Sequence, residues 1–219
     1  MKTKLLLPLL SLTLGTLPLL AELKYFPKDK DELISLVADE SIKLDEIDVS
    51  KIKDMSYLFC LARDNSRSYP YEEGCGRVFR KDFRGIEKWD TSNVEDMARM
   101  FDSVENFNEP IGSWNVSKVK NMDRVFARAI SFNQPLNKWN VSNVEDMGGM
   151  FAYTKFNQPL DSWDVSNVED MTKIFYGAKS FNQDLSMWKV SNLKEYGSWW
   201  REMFEGSPLE KDKNKQFKF

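Results

Sequence analysis

The chain carries few side chains of the kind that do chemistry, and they are placed in a telling way. Acidic pairs stand at Glu145–Asp146 and Glu169–Asp170. Two carboxyl groups flanking a bond are what glycoside hydrolysis requires. These pairs recur in the same phase of a repeated pattern, however, whereas catalysis needs its groups once. The two cysteines, Cys60 and Cys75, have no companions for a zinc site, and the chain contains 0 histidines. That removes His-based triads, His metal sites and imidazole bases. No phosphate-cradling Gly-x-x-x-x-Gly-Lys loop and no dinucleotide fingerprint is present. The reading is a non-enzyme with no cofactor and no metal.

What repeats is a structural unit. Trp89, Trp114, Trp139, Trp163 and Trp188 follow one another at spacings of 25, 25, 24 and 25 residues. FNQPLNKWNVSNVEDMGGMF (132–151) returns as FNQPLDSWDVSNVEDMTKIF (156–175). Such a period marks a stack of supersecondary units, none able to bury its apolar side alone. Trp139 and Val141 alternate as on a strand with one inward face. Met147, Met150 and Phe151 stand at i, i+3 and i+4, the spacing of a helical face, with Asp146 before them as an N-cap. Asp54, Asp96, Asn121 and Asp170 occupy the same place in other units. The pattern predicts a leucine-rich-repeat-like solenoid of about six coils of ~25 residues, each a short parallel β-strand plus a short helix. Serine at Ser50, Ser92, Ser117, Ser142, Ser166 and Ser191, and asparagine at Asn108, Asn133, Asn157 and Asn182, read as corner scaffold.

Four segments are expected: 1–21, 22–45, 46–206 and 207–219. The first has Lys2 and Lys4, then an apolar run from Leu5 to Leu20 and a small Ala21, the layout of a cleaved secretory signal. The second holds a cap helix within 28–39, with Leu33, Leu36 and Val37 on one face. The third is the repeat array, closed by a bulky helical cap over 198–204. The last is a charged tail expected to fray from Glu210. An insertion at 60–84 breaks the period. In an exported chain its Cys60 and Cys75 are expected to pair.

Without Lys2 and Lys4, 29 basic residues face 34 acidic ones, a net charge of −5. Nucleic acid is therefore not the expected partner, and no apolar run after the signal is long enough to span a bilayer. Outward positions beside the inward tryptophans, Asp48, Asp90, Asn115, Asn140, Asp164 and Lys189, form a mostly acidic or amide row. Arg63, Arg67, Tyr69 and Tyr71 in the insertion form a second candidate contact. The tryptophans offer a stacking platform for sugars only if they face water. The valines two residues on argue for burial.

The motif Phe-Asn-Gln-Pro-Leu-x-x-Trp-x-Val-Ser-Asn-Val-x-x-Met-x-x-Met-Phe resembles the BspA-type leucine-rich-repeat surface proteins, the mycoplasma-lipoprotein-type repeat of unknown function. Its best copies are 107–126, 132–151 and 156–175. The resemblance implies a solenoid and a surface location, with adhesion or host-protein binding in some members, and no catalytic residues. The expected function is a protein-binding or adhesive module, exported to the cell surface, the medium or the periplasm. Its partner is a protein of the host or of the envelope. A periplasmic scaffold and a carbohydrate-binding module are the alternatives.

Overall fold

The computed structural model describes residues 22–61, 74–193 and 202–218. The proposed signal and the insertion residues Arg63, Arg67, Tyr69 and Tyr71 lie outside them, as do residues 198–201 of the expected C-terminal helix. Among the described residues there is one α-helix, α1 (Lys30–Ala38), and no β-strand. The leucine-rich-repeat solenoid of strand-plus-helix coils is therefore not the fold. The reason lies in where the backbone N–H groups go, since every buried one needs a partner.

At the expected strand, Trp139 N–H donates to Leu136 and Val144 N–H to Val141, three residues back in the same unit. Little is left for pairing with a neighbour. Bridge pairing between the repeat units is limited to single parallel residues, Asp54–Asp96, Asp96–Asn121, Asn121–Asp146 and Asp146–Asp170, which lie after the expected strand, where the turns begin. The alternation still holds locally, for Trp139 and Val141 are buried while Asn140 is exposed.

At the expected helix, donors are shared out differently. Met150, Ala152 and Thr154 donate to Met147, Gly149 and Phe151, each three residues back. Met147, Gly149, Phe151 and Tyr153 instead donate to Asp170, Thr172, Ile174 and Tyr176 of the next unit. Gly149 and Tyr153 adopt φ of 59° and 60°. A left-handed residue ends an α-helix, so the segment is a run of overlapping turns. Arg99, Arg124 and Lys173 take the same conformation at the equivalent position of other units, with φ of 56°, 51° and 59°. The supposed N-caps are Asx turns: Oδ1 of Asp54, Asp96, Asn121, Asp146 and Asp170 accepts the N–H two residues on.

The apolar positions nonetheless converge on one continuous core. Phe59, Phe101, Phe126, Phe151 and Phe175 stack with centroids 5.6–5.8 Å apart. Phe107, Phe132, Phe156 and Phe181 form a second column beside it. Asparagines link the corners, Asn133, Asn157 and Asn182 N–H each donating to the amide oxygen of Asn108, Asn133 and Asn157 in turn.

Both ends of the stack are covered. Helix α1 opens at Asp29, whose carboxylate accepts from Glu32 N–H, and buries Leu33, Ile34 and Val37. At the other end Phe175 and Gly177 N–H donate to Met203 and Glu205. The tail is not frayed: Phe217 is buried and stacks 6.1 Å from Trp188. Cys60 and Cys75 form a disulfide. Closing a loop of this length stabilises by about 3 kcal/mol in the chain-entropy view.

Candidate functional site

The row proposed from sequence is assembled by the stacking. Asp90, Asn115, Asn140, Asp164 and Lys189 are exposed, and Asp48 is half-buried. The first five acidic or amide members of the row are fixed by the serine two residues on. Oδ1 of Asp48, Asp90, Asn115, Asn140 and Asp164 accepts the N–H of Ser50, Ser92, Ser117, Ser142 and Ser166. In Asn115 and Asn140 the serine hydroxyl donates as well, at 2.7 and 2.8 Å. The serine hydroxyl and N–H hold the carboxyl groups of Asp48 and Asp164 below the usual carboxylate range. Both stay charged at neutral pH.

Phe26 joins this row, which sequence reasoning did not foresee. Tyr25 bridges to Ile47, so Phe26 stands beside Asp48, and it is 65% exposed. A cleft of about 540 Å³ has Pro110, Gly112, Pro135, Asn137 and Lys138 in its walls and no member of the row.

The tryptophans form no platform. Trp89, Trp114, Trp139, Trp163 and Trp188 are 3–5% exposed. Each indole N–H donates to a backbone carbonyl of the preceding unit, from Trp89 to Leu44 through Trp188 to Leu160, at 2.8–3.1 Å. A sugar stacking on them would have to displace the core.

The acidic pairs are also divided in their tasks. Glu145 lies at the surface, 3.5 Å from Lys120, while Asp146 holds the Gly148 N–H. Lys53 and Glu95 make a similar surface pair at 2.8 Å. Such pairs contribute at most about 1 kcal/mol each. Among the described residues no group of three or more Cys, Asp or Glu is placed to hold a metal ion, and no helix is long and apolar enough to cross a membrane.

Arg80 is a structural residue that the sequence did not single out. It is 7% exposed, and its guanidinium donates to the carbonyls of Val37, Asp39, Ile42 and Asp82. It fastens the end of the insertion to the C-terminus of α1.

The described architecture defines a class of tandem-repeat protein, in which turn-rich units of about 25 residues stack in register and present rows of equivalent side chains. The family model described as "Mycoplasma protein of unknown function, DUF285" matches residues 75–155 and again 152–216. Together these span 142 of 219 residues (75 to 216), and the chain belongs to that family. The resemblance to BspA-type leucine-rich repeats is thereby corrected, because the matched chain forms neither the sheet nor the helices of such a repeat. No curated protein and no solved structure matches the chain.

Proposed function

We propose that the protein is an exported, non-catalytic binding module that presents the row from Asp48 to Lys189 to a protein partner bearing basic groups. The observation that carries this reading is the pre-set geometry of the row. Five exposed or half-exposed carboxyl and amide groups from successive units are held by their own serines, so little side-chain freedom is lost on binding. The charge is acidic at Asp48, Asp90 and Asp164.

Replacing Asp90 and Asp164 by asparagine tests this without disturbing the turns, since an amide oxygen accepts the same serine N–H. Binding to immobilised Lys/Arg-rich peptides is expected to weaken by roughly 10-fold, about 1.4 kcal/mol, and to lose much of its salt dependence. Unchanged binding would remove this row from consideration.

The export half of the proposal rests on the charged, then apolar, start of the chain at Lys2 to Ala21. Protease treatment of intact cells, with lysed cells as control, is expected to digest the protein before lysis. Protection until lysis would place its partner inside the envelope.

A further inference from the structure

One position in the turn face departs from its column. The residue nine after the tryptophan or its equivalent is small in the other units, namely Ser56, Ala98, Gly148 and Thr172, but in one unit it is Asp123. Its carboxylate extends over the next unit. A point one Cβ bond from Gly148 lies 3.2 Å from Oδ1 of both Asp123 and Asp146, and 3.8 Å from Oδ1 of Asp170. Three carboxyl groups from three successive units therefore converge on a residue that has no side chain to separate them.

The surrounding charges do not neutralise this cluster. From the preceding unit Arg99 approaches Asp123 at 3.6 Å, and it is also 3.7 Å from Asp102. Arg124, next in sequence, reaches only 3.9 Å. Asp146 faces Asp96 and Asp170 on either side, with Asn121 between Asp96 and itself in the bridge ladder. Around these carboxyl groups stand Arg99 and Arg124, with Arg128 near Asp102, against Asp96, Asp102, Asp123, Asp146 and Asp170.

We propose that this convergence is a proton-binding device: the stack takes up one proton at Asp123 or Asp146 in mild acid, and the register of these units tightens when it does. Neutralising one of the two carboxyl groups removes the repulsion between them. Above neutrality the same contact is repulsive, and the turns around Gly148 and Gly149 are the place where the ladder gives way first. Burial first, then the nearby Asp146 charge, push the Asp123 carboxyl up to about 6; Asp146 is raised by burial first, with the Gly148 N–H opposing and the Asp170 and Asp96 charges adding.

The sign follows from linkage. A carboxyl whose folded-state value is raised stabilises the fold fully below its unfolded value near 3.8, and that stability is lost as pH rises through about 6. About a third of the Asp123 side chain (32%) remains in water, which screens the effect. The gain in the folding constant between pH 7.5 and pH 5 is thus at most roughly tenfold.

The experiment is denaturant unfolding of the full chain at pH 7.5, 6.5, 5.5 and 5.0, for wild type and Asp123→Asn. The difference in stability between the two is expected to change by several-fold in folding constant across this range. Asp123→Asn should be the more stable at pH 7.5 and should show less gain on acidification. Parallel curves would overturn the proposal. Carboxyl 13C titration of the wild type gives a second readout independent of the variant's folding. A midpoint for Asp123 near 6, well above the ordinary aspartate range, is expected. Ordinary aspartate midpoints for Asp123 and Asp146 alike would overturn it.

Discussion

Replacing Phe126 by alanine is expected to destabilise the fold by about 3–5 kcal/mol, read as a fall in the urea midpoint with little change in slope. The ring is fully buried and sits in the middle of the stack. It lies 5.8 Å from Phe101 and Phe151 along its own column, 4.0 Å from Phe132 in the second column, and 6.1 Å from Trp139. These neighbours are themselves held above and below by further rings, so they cannot collapse into the space left behind. A cavity with rigid walls is the costly kind, because the lost contacts are not remade. Phe126→Leu fills most of the volume and should cost about 1–1.5 kcal/mol. Equal losses for alanine and leucine would mean that the column is held by ring geometry rather than by volume.

Removing Arg80 is expected to have a comparable effect by a different route. Its guanidinium serves four carbonyls at 2.6–3.2 Å, three of them at the end of α1 and just beyond. Burial lowers its affinity for the proton, with Asp82, Glu40 and Asp39 opposing. It stays charged at any ordinary pH because an arginine begins so high. Arg80→Ala leaves Val37, Asp39 and Ile42 carbonyls without their donor, at a cost of about 3 kcal/mol or more. Arg80→Lys should recover only part of this, since one ammonium cannot span the same set of acceptors. Amide hydrogen exchange over α1 should report the loss before global unfolding does. If exchange in α1 stays at wild-type protection, the arginine is not what holds the cap.

These two residues show what is and is not legible in the chain. Phe126 is visible because it recurs: a phenylalanine stands twelve after Trp89, Trp114, Trp139 and Trp163, and all four, Phe101, Phe126, Phe151 and Phe175, are buried. Arg80 is invisible because three of its four carbonyl partners stand 38 to 43 residues earlier and carry no side-chain signature. Periodicity likewise identified which residues face inward, Trp139, Val141, Met147 and Phe151 among them. It misread the backbone that carries them. Spacing at i, i+3 and i+4 is shared by a helix and by a run of overlapping turns, and the distinction rests on φ at Arg99, Arg124, Gly149 and Lys173. Only the glycine among these has a known liking for that region. Arg99 and Arg124 adopt it with their N–H groups donating to the carbonyls of Asp123 and Gly148 in the next unit. The candidate row was legible for the opposite reason: Asp164 and Asn140 neighbour inward tryptophans and precede a serine, which is local information. Phe26 escaped because its membership of the row depends on the Tyr25–Ile47 bridge.

The in-register ladder also bears on how a gene for such a protein can change. The turn N–H groups of each unit donate to carbonyls of the next unit, the same turn's carbonyls accept from the preceding one, and among the described residues the stacked rings meet those of adjacent units. Excising or copying one whole period rejoins surfaces that already fit, so length can vary in steps of one unit at small cost to what remains. A change of one residue is absorbed in the link between the two phenylalanine columns, as between Phe151 and Phe156, five residues apart where Phe101–Phe107, Phe126–Phe132 and Phe175–Phe181 are six, while the donors before and after it keep their register. The near-duplicate stretches 132–151 and 156–175 are the kind of sequence on which unequal recombination acts. The number of units, and with it the reach of the exposed row, is therefore the property most open to variation between related chains.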